Sequence, residues 1–418
     1  MEVRKGFKQT EVGVVPEDWD VLPFEEYYSF ISYGFTNPMP TTESGIYMVT
    51  AKDINNGKIQ LDTARFTTEE AYRALTAKSR PKKGDLLLTK DGALGRLALV
   101  DDTVICINQS VAIIRLNNRA APEFLKTLLE APAYQSRMLE DAGGTTIKHI
   151  YITIVNKMPL AVPPTLAEQE AIAEALSDAD ALIEAVEQLL AKKRQVKQGA
   201  MSELLTGKRR LAGFSGEWEV KPLDTISFVT SGKRLPLGKS LTDNETSHPY
   251  VRVTDMRMGT VELSDIKFVP DDVFPAIKQY RIYKEDIFIS VAGTLGIVGK
   301  IPQELDGANL TENADRITNI TCSRDYLLHF LMSSQIQNTI EAIQTVGAQP
   351  KLALTRIRKF DIPLPPTLAE QTAIAEILSN MDAEISALEE KLVKARQVKA
   401  GMMSMLLSGR IRLIDKRG

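Results

Sequence analysis

The sequence predicts a mixed α/β protein with two related globular domains and two long helices that form an antiparallel coiled coil. A stretch of 49 residues at 163–211 recurs at 365–413 with 32 identical positions, so one unit occurs twice. Apolar residues in both copies recur at steps of four and three, which indicates a coiled-coil seam. The expected domains are 1–162 and 213–364, and the expected helical segments are 163–212 and 365–418.

Each repeated segment carries its own start and stop signals. Pro-Pro is followed by a Thr-x-x-Glu capping box at 165–168 and 367–370, and Gly207 and Gly409 are the expected ends. A helix of about 40 residues, ~60 Å long, with one narrow apolar face is not stable alone, so its expected partner is the other copy. The expected seam residues are Ile172, Leu176, Ala179, Ile183, Val186 and Leu190, with Ile374, Leu378, Met381, Ile385, Leu388 and Leu392 in the second copy.

Charge predicts the direction of pairing. Residues 163–190 carry seven acids and no base, whereas 191–212 carry seven bases and one acid. The second copy repeats this division, with six acids and no base over 363–390 and eight bases and one acid over 391–418. Only antiparallel pairing sets each acidic half against a basic half, so charge favours that orientation.

Composition excludes several protein classes. The 418 residues are 44% hydrophobic and carry a net charge of −3, with no long apolar run and no signal-peptide core at the start. We therefore expect a soluble cytoplasmic protein without a membrane partner. Cys106 and Cys322 lie in apolar, strand-like contexts, which favours two buried free thiols over a disulfide.

The repeat extends through the domains in chain order. Trp19 matches Trp218, the turn-rich segment 33–38 matches 231–236, and Asp53 matches Asp255. A strand, Gly-x-x-Gly turn and strand are expected in each half, followed by another strand, a helical stretch and a polar loop. In the first half these four segments are 84–100, 110–116, 122–141 with a break near Pro132, and 142–149. In the second half they are 285–301, 314–320, 325–345 and 346–353. The loops differ between the halves far more than the helices do, which suggests two related but different ligands.

No catalytic constellation is visible. His149, His248 and His329 are scattered without Cys or His partners at ligand spacing, which makes a zinc site improbable. The glycine-rich segment 232–240 has five residues between its glycines where a P-loop has four, and no helix pattern follows it.

Two variable α/β domains that alternate with two near-identical helices resemble the specificity (S) subunit of type I restriction-modification enzymes. The motifs that carry the resemblance are Pro-Pro-x-Leu-x-Glu-Gln at each helix start and Leu-Leu-x-Gly-(Lys/Arg)-x-Arg-Leu at 204–211 and 406–413. A Trp-x-(Val/Leu)-x-x-(Leu/Phe) motif near the start of each domain, beginning at Trp19 and Trp218, adds to the resemblance. The resemblance covers the whole chain.

The resemblance implies that each domain is a target recognition domain that reads one half of a bipartite site on double-stranded DNA. It also implies that two methylation (M) and two restriction (R) subunits assemble with the chain. The chain itself would be non-catalytic and would bind no cofactor, because S-adenosylmethionine, ATP and Mg would belong to those subunits. The alternative is a coiled-coil adaptor or scaffold without DNA sequence specificity.

Two sets of site residues follow as predictions. Lys and Arg suit DNA phosphates, while Asn, Arg and His suit base edges. The expected DNA contacts on polar loops are Thr36, Asn37, Lys90, Lys148 and His149 in the first domain, and Lys233, Arg234, Arg252, Lys351 and Arg356 in the second. The expected contacts of the M subunits on the repeated helices are Gln169, Arg194, Gln195, Gly199 and Leu204, with Gln371, Arg396, Gln397, Gly401 and Leu406.

Antiparallel pairing also leads to an expectation about spacing. Each domain feeds the start of its own helix, so the two domains would lie at opposite ends of a stiff pair. Helix length, at about 1.5 Å per residue, would then set the distance between the two DNA half-sites.

Overall fold

The computed structural model describes residues 4–140, 149–344 and 351–413, without the side chains of residues 343 and 344. The chain divides into two compact units, which we call the first unit (1–186 with 391–418) and the second unit (187–390). Each unit contains one globular α/β part, the beginning of one long helix and the end of the other.

The first unit contains short strands around two cores. Its strands are β1 Phe7–Thr10, β2 Gly13–Pro16, β3 Asp20–Pro23, β4 Tyr28–Tyr33, β5 Ile46–Val49, β6 Ile54–Asn55, β7 Lys58–Ile59, β8 Arg65–Thr67, β9 Leu86–Thr89, β10 Leu97–Leu99, β11 Ile105–Ile107, β12 Val111–Leu116 and β13 Pro159–Val162. Its helices are α1 Glu69–Ala74, α2 Pro122–Glu130, α3 Pro132–Glu140 and α4 Ile152–Asn156, with 3₁₀ turns at Phe24–Tyr27, Ala51–Asp53 and Ala77–Ser79.

The main sheet of the first unit has the antiparallel order β10-β9-β12-β4. A second sheet has the order β11-β5-β8, with β11 parallel to β5. Residues 111–114 of β12 are fully buried, which explains their unbroken apolar run. Trp19 and Phe124 anchor the core on one side of the main sheet, where α2 and α3 pack. The predicted break near Pro132 is confirmed between α2 and α3.

The long helix α5, Leu166–Leu204, spans 39 residues and continues from the first unit into the second. The second unit then contains β14 Glu219–Pro222, β15 Phe228–Ser231, β16 Pro249–Val251, β17 Met256–Arg257, β18 Thr260–Val261, β19 Lys267–Phe268, β20 Arg281–Ile282, β21 Ile287–Ser290, β22 Val298–Lys300, β23 Ala308–Leu310, β24 Ala314–Thr318 and β25 Asp361–Leu364. Its helices are α6 Leu223–Ile226, α7 Phe274–Ile277, α8 Arg324–Leu331, α9 Ser334–Gln344 and α10 Leu354–Ile357, with 3₁₀ turns at Val253–Asp255 and Gln303–Leu305.

The second unit repeats the plan of the first. Its main sheet has the order β15-β24-β21-β22, and a second sheet has the order β19-β16-β23-β20, with β16 parallel to β23. The helical stretch is divided at Met332 and Ser333, a break that the sequence did not predict. The second long helix, α11 Leu368–Leu406, again spans 39 residues, so the predicted length of both helices is confirmed.

The long helices run antiparallel within each unit, as their charges predict. In the first unit Lys399 pairs with Asp180. In the second unit Lys193 Nζ lies 2.6 Å from Glu384 Oε2, and Arg194 donates to Glu389 over the same distance. The predicted seam residues are all buried or half-buried. Gly207 and Gly409 adopt left-handed φ values of +69° and +66° just beyond the helix ends, so both predicted stops are confirmed.

The two cysteines are free, as predicted. Cys106 is buried in β11, which also agrees with the prediction, whereas Cys322 is half-buried and lies in the loop between β24 and α8, not in a strand. Within the described ranges, no helix combines the length and the apolar character that crossing a bilayer requires.

Candidate nucleic-acid interface

A glycine fixes the first loop of the candidate interface in each unit. Gly34 follows β4, and its N–H donates to Val111 O over 3.2 Å. A Cβ at Gly34 would lie 1.9 Å from Ile107 O, so no other residue fits this close approach between two backbone segments. Gly232 follows β15 in the same way, since its Cβ would lie 2.1 Å from Thr311 O.

A capped hairpin turn forms the second loop. Thr89 Oγ1 in the first unit and Ser290 Oγ in the second each accept a 2.8 Å hydrogen bond from the backbone at the far side of the turn. The glycines of the two Gly-x-x-Gly turns, Gly92 and Gly95 in the first unit and Gly293 and Gly296 in the second, adopt positive φ, which confirms their predicted turn role. Lys90 N then donates to Ser110 O over 2.9 Å, and Val291 N donates to Asn313 O over 2.7 Å. Each turn therefore lies beside the strand connection that also holds the glycine loop.

A third segment completes the arrangement. Ile150 N donates to Lys90 O over 3.0 Å, and Leu352 N donates to Val291 O over 2.9 Å. The same backbone bonds thus bring several loops together in each unit. We call residues 34–37, 89–92, 107–110 and 149–150 the first loop face, and residues 232–235, 290–293, 310–313 and 351–352 the second loop face.

The first loop face brings together four of the predicted DNA contacts, Thr36, Asn37, Lys90 and His149. Thr36 and Asn37 are exposed. Lys90 Nζ lies 2.6 Å from Asp91 Oδ2 and 5.4 Å from the centroid of the Tyr33 ring.

Asp91 is a charged residue of this face that sequence reasoning missed. His149 Nδ1 is within hydrogen-bond distance of its Oδ1. Partial burial raises the pKa of Asp91, but the hydrogen bonds from His149 and Lys90 outweigh burial and hold this pKa below its ordinary value. Asp91 is therefore a carboxylate at neutral pH, and it contacts both Lys90 and His149.

The second loop face brings together Lys233, Arg234 and Lys351, all exposed. Lys233 Nζ lies 5.7 Å from the centroid of the Tyr280 ring. Arg234, whose side chain is 78% exposed, donates from Nε to Glu312 Oε1 over 2.6 Å. Unlike the first loop face, this one has uncharged residues, Val291 and Ala292, where Lys90 and Asp91 stand.

The remaining predicted DNA contacts have other positions. Arg252 precedes the 3₁₀ turn Val253–Asp255, and its guanidinium is held by Asp255 at 2.6 Å and Asp265 at 3.1 Å. Arg356 is exposed on α10, just after the second loop face. Lys148 lies outside the described residues.

Four of the predicted partner contacts are buried. Gln169 Oε1 accepts from Ala121 N over 2.7 Å, and Gln371 Oε1 accepts from Ser323 N over 2.8 Å. Each amide also donates to the proline carbonyl six residues before it, over 2.9 Å. Leu204 and Leu406 are 6% and 3% exposed in the cores. These four residues fix the helix termini to their units, and buried side chains offer no atoms to a docking partner.

The other predicted partner contacts are exposed, namely Arg194, Gln195, Gly199, Arg396, Gln397 and Gly401. A Cβ at Gly199 or Gly401 would meet no atom within 4 Å, so the surface is open at both glycines. We call these six residues the exposed helix set.

Sequence reasoning missed an exchange of ion pairs between the two copies. Arg210, beyond the end of α5, donates from Nε and an Nη to both oxygens of the buried Glu370 carboxylate, over 2.8 Å each. Arg412, beyond the end of α11, pairs in the same way with the buried Glu168 and also with Asp18. The Thr caps form, but each capping-box glutamate binds the arginine of the other copy rather than its own cap. Both arginines are part of the repeated Leu-Leu-x-Gly-(Lys/Arg)-x-Arg-Leu motif, and this recurrence was the sequence signal that could have indicated the ion pairs.

The described ranges contain no group of three or more His, Cys, Asp or Glu side chains placed to hold a metal ion.

Comparisons with known proteins agree with this architecture. Residues 30–193 and 215–395 match the family described as type I restriction modification DNA specificity domain. The type I restriction enzyme MjaVIII specificity subunit of Methanocaldococcus jannaschii is 23% identical over 98% of this chain and 96% of its own length. The EcoKI specificity subunit of Escherichia coli K12 is 23% identical over 92% of this chain and 86% of its own length.

The fold has a counterpart among solved structures. The crystal structure of the type I restriction-modification S subunit from M. genitalium superposes with a TM-score of 0.61 at 17% identity, covering 97% of this chain and 98% of that one. Two matches to one family domain, over well over half of the chain, coincide with the internal repeat. The chain therefore belongs to the specificity subunits of type I restriction-modification systems, as its resemblance predicts.

Proposed function

We propose that this chain selects a bipartite site on double-stranded DNA, with one half-site bound by each loop face. The observation that carries the proposal is that identical backbone hydrogen bonds build both loop faces, while the side chains on them differ. A common framework with different side chains suits two readers of different short sequences.

The side chains give each loop face a distinct recognition chemistry. On the first loop face, Asn37 and His149 can read base edges, and Lys90 offers charge to a phosphate. On the second, Arg234 offers a planar donor group that fits guanine or a phosphate, and Lys233 and Lys351 add positive charge. A net charge of −3 for the whole chain means that DNA attraction must come from such local groups.

The proposal includes partners that perform the chemistry. The chain by itself neither methylates nor cuts DNA, and two M subunits and two R subunits supply these activities with S-adenosylmethionine, ATP and Mg. The exposed helix set is the proposed M-subunit surface, because its members occur at matching positions in the two copies. The complex would act in the cytoplasm, where the DNA is.

Binding selection tests the proposal directly. Random duplex DNA is selected with the chain plus M subunits, and the enriched sequences are expected to contain two fixed half-sites around a non-specific spacer. Lys233→Ala with Arg234→Ala should weaken binding and lower the salt slope by about 2, since each phosphate contact contributes about 0.9. Lys221→Ala with Lys284→Ala removes the same charge outside the loop face and is the control. Enrichment without any fixed sequence would favour the adaptor alternative, and an unchanged slope in the Lys233 and Arg234 variant would reject that assignment.

A further inference from the structure

A small cavity in the second unit, next to the second loop face, contains two arginines. Its volume is about 230 Å³, and its lining includes Thr230, Ser231, Gln279, Tyr280, Arg281 and Arg316. None of the described residues that line it is acidic. Two guanidinium groups therefore share a polar cavity that has no acidic residue in its described lining.

Arg316 is an unusual residue for its position in the sheet. In the second unit Asp315 of β24 pairs with Ser231, and in the first unit Ala112 of β12 pairs with Tyr33. Tyr33 and Ser231 are equivalent, because each directly precedes the glycine of its loop face, Gly34 or Gly232. The next residue of the partner strand is therefore Arg316 in the second unit and the fully buried Ile113 in the first. The Arg316 side chain is 21% exposed, and the Asp286 carboxylate lies 3.9 Å from its Nε, which is an ion-pair distance but too far for a hydrogen bond. One Nη of Arg316 donates to Arg281 O, which is a neutral acceptor. A charge at a core position of the sheet requires a compensating interaction.

Arg281 is held in place but incompletely bonded. Its guanidinium carbon lies 5.1 Å from the centroid of the Phe274 ring, which in turn stacks on His248 at 3.6 Å. The Nε atom of Arg281 is buried and has no hydrogen-bond partner among the described residues. A buried donor without an acceptor destabilises the fold, and a bound anion would supply the missing acceptor. Stacking pre-orients the planar donor group, as in many phosphate sites.

We propose that this cavity binds one phosphate group through Arg281 and Arg316. Gly232 lines the cavity and begins the second loop face, so a phosphodiester of DNA bound on that face is one source of the phosphate. A free phosphate anion is the other source with the same chemistry. The first source rests on the proposed DNA recognition, whereas the second does not.

The test uses the full chain and three single variants. Arg281→Gln and Arg316→Gln each remove one cavity charge. Arg324→Gln is the matched control, because Arg324 is also mostly buried, with a side chain 27% exposed, and also donates to a backbone carbonyl, but its charge is balanced by Glu285 and Asp325. Circular dichroism and the thermal midpoint establish folding. If Arg316→Gln fails to fold, since Arg316 also donates to Arg281 O, Arg281→Gln carries the test.

Two measurements distinguish the sources. DNA affinity is measured against salt concentration with the M subunits present, and thermal stabilisation by inorganic phosphate is measured against chloride at equal ionic strength. For a DNA phosphate, both cavity variants should lose roughly tenfold in affinity, with a salt slope lower by about 1, and the control should match wild type. For a free anion, phosphate should stabilise wild type and the control but neither cavity variant.

One result would overturn the phosphate site. Folded cavity variants that match wild type in both measurements would show that neither arginine binds phosphate. If wild type binds DNA and the cavity variants bind it equally well, DNA recognition stands and only a free anion could still occupy the cavity. If wild type binds no specific DNA, the proposed function fails, and the inorganic phosphate measurement alone decides the cavity.

Discussion

His329 gives the second unit a buried titratable side chain that the first unit lacks at the matching position. It is 3% exposed in α8, and its Nε2 lies 3.0 Å from Ser379 Oγ. The repeat offset of 202 residues places Thr127 of α2 at the matching position, so the first unit has no titratable group there. Burial lowers the pKa of His329 from 6.5 to about 4, with Lys197 also lowering it, against the opposing effects of Asp382 and Asp325.

This pKa predicts a loss of stability in mild acid. Because the folded pKa lies below the unfolded value, the unfolded chain binds the proton more tightly. The contribution of the neutral, buried His329 to the free energy of unfolding should be fully present above pH 6.5. It should fall as the pH drops towards 4, by on the order of 3 kcal/mol in total. Thermal midpoints measured from pH 7 to 4 should show that decline, and His329→Gln should flatten it. His149→Gln is the control, and an equally steep decline in His329→Gln would assign the effect elsewhere.

Predictability from sequence differed among residues for physical reasons. The glycine stops and seam residues were predictable, because backbone conformation and helical periodicity depend on local sequence. Asp91 was missed because its neighbour His149 is 58 residues away, and only the folded backbone brings them together. Gln169 and Gln371 were taken for surface residues. A polar side chain that recurs in both copies can contact either a partner protein or a buried backbone group, and the sequence does not distinguish the two. Arg316 was missed because the sequence alone does not show that it occupies the place of the buried Ile113 of the first unit.

Among the larger elements, the ends of the long helices are exchanged. The end of α5 contributes Leu204 and Leu205 to the core of the second unit, and the end of α11 contributes Leu406 and Leu407 to the core of the first. Gly409 lies against Trp19, and Gly207 lies against Trp218. Each tryptophan that begins a domain thus receives the helix end of the other copy.

The exchanged ion pair of the first unit should be important for stability. Arg412→Met would leave the Glu168 carboxylate, 3% exposed, without its cation, and breaking a buried pair costs about 3 kcal/mol. Urea unfolding should show that loss. Adding Glu168→Gln to Arg412→Met should recover most of it, because both charges are then gone. Arg410→Met, at an exposed position in the same turn, is the control, and an equal loss in both single variants would mean that the pair itself contributes nothing.

The exposed helix set should bind the M subunits. Gly199→Leu with Gly401→Leu fills open surface on both copies without a clash inside the chain, so the fold should survive. Glycine inside a helix costs about 1 kcal/mol relative to alanine, so these substitutions should even favour the helices. We expect the double variant to lose M binding, measured as the mass of the purified complex. Gln198→Leu with Ala400→Leu, at the neighbouring helix positions, is the control. A normal complex from the glycine variant would exclude these glycines from the interface.

For the whole molecule, helix length should set the DNA spacer. Inserting seven residues into both helices, between 190 and 195 and between 392 and 397, preserves the seam and adds about 10 Å. That length corresponds to roughly three base pairs at ~3.4 Å each. The half-sites should stay the same and the spacer should lengthen, as methylation mapping would reveal. Retained activity at the original spacer would refute a rigid-ruler role for the helices.

The exchange of helix ends also determines the order in which the units can form on the ribosome. The second unit is contiguous, at 187–390, and can close as soon as it has emerged. The first unit begins with the earliest residues but needs Leu406, Leu407 and Arg412, which are synthesised more than two hundred residues after its other core residues. The part translated first is therefore completed last, and its tryptophan pocket stays open until then. A nascent chain cut at residue 390 and extended by a linker long enough to span the ribosomal exit tunnel should carry a folded second unit and an unfinished first one. Limited proteolysis of the nascent chain would detect this difference.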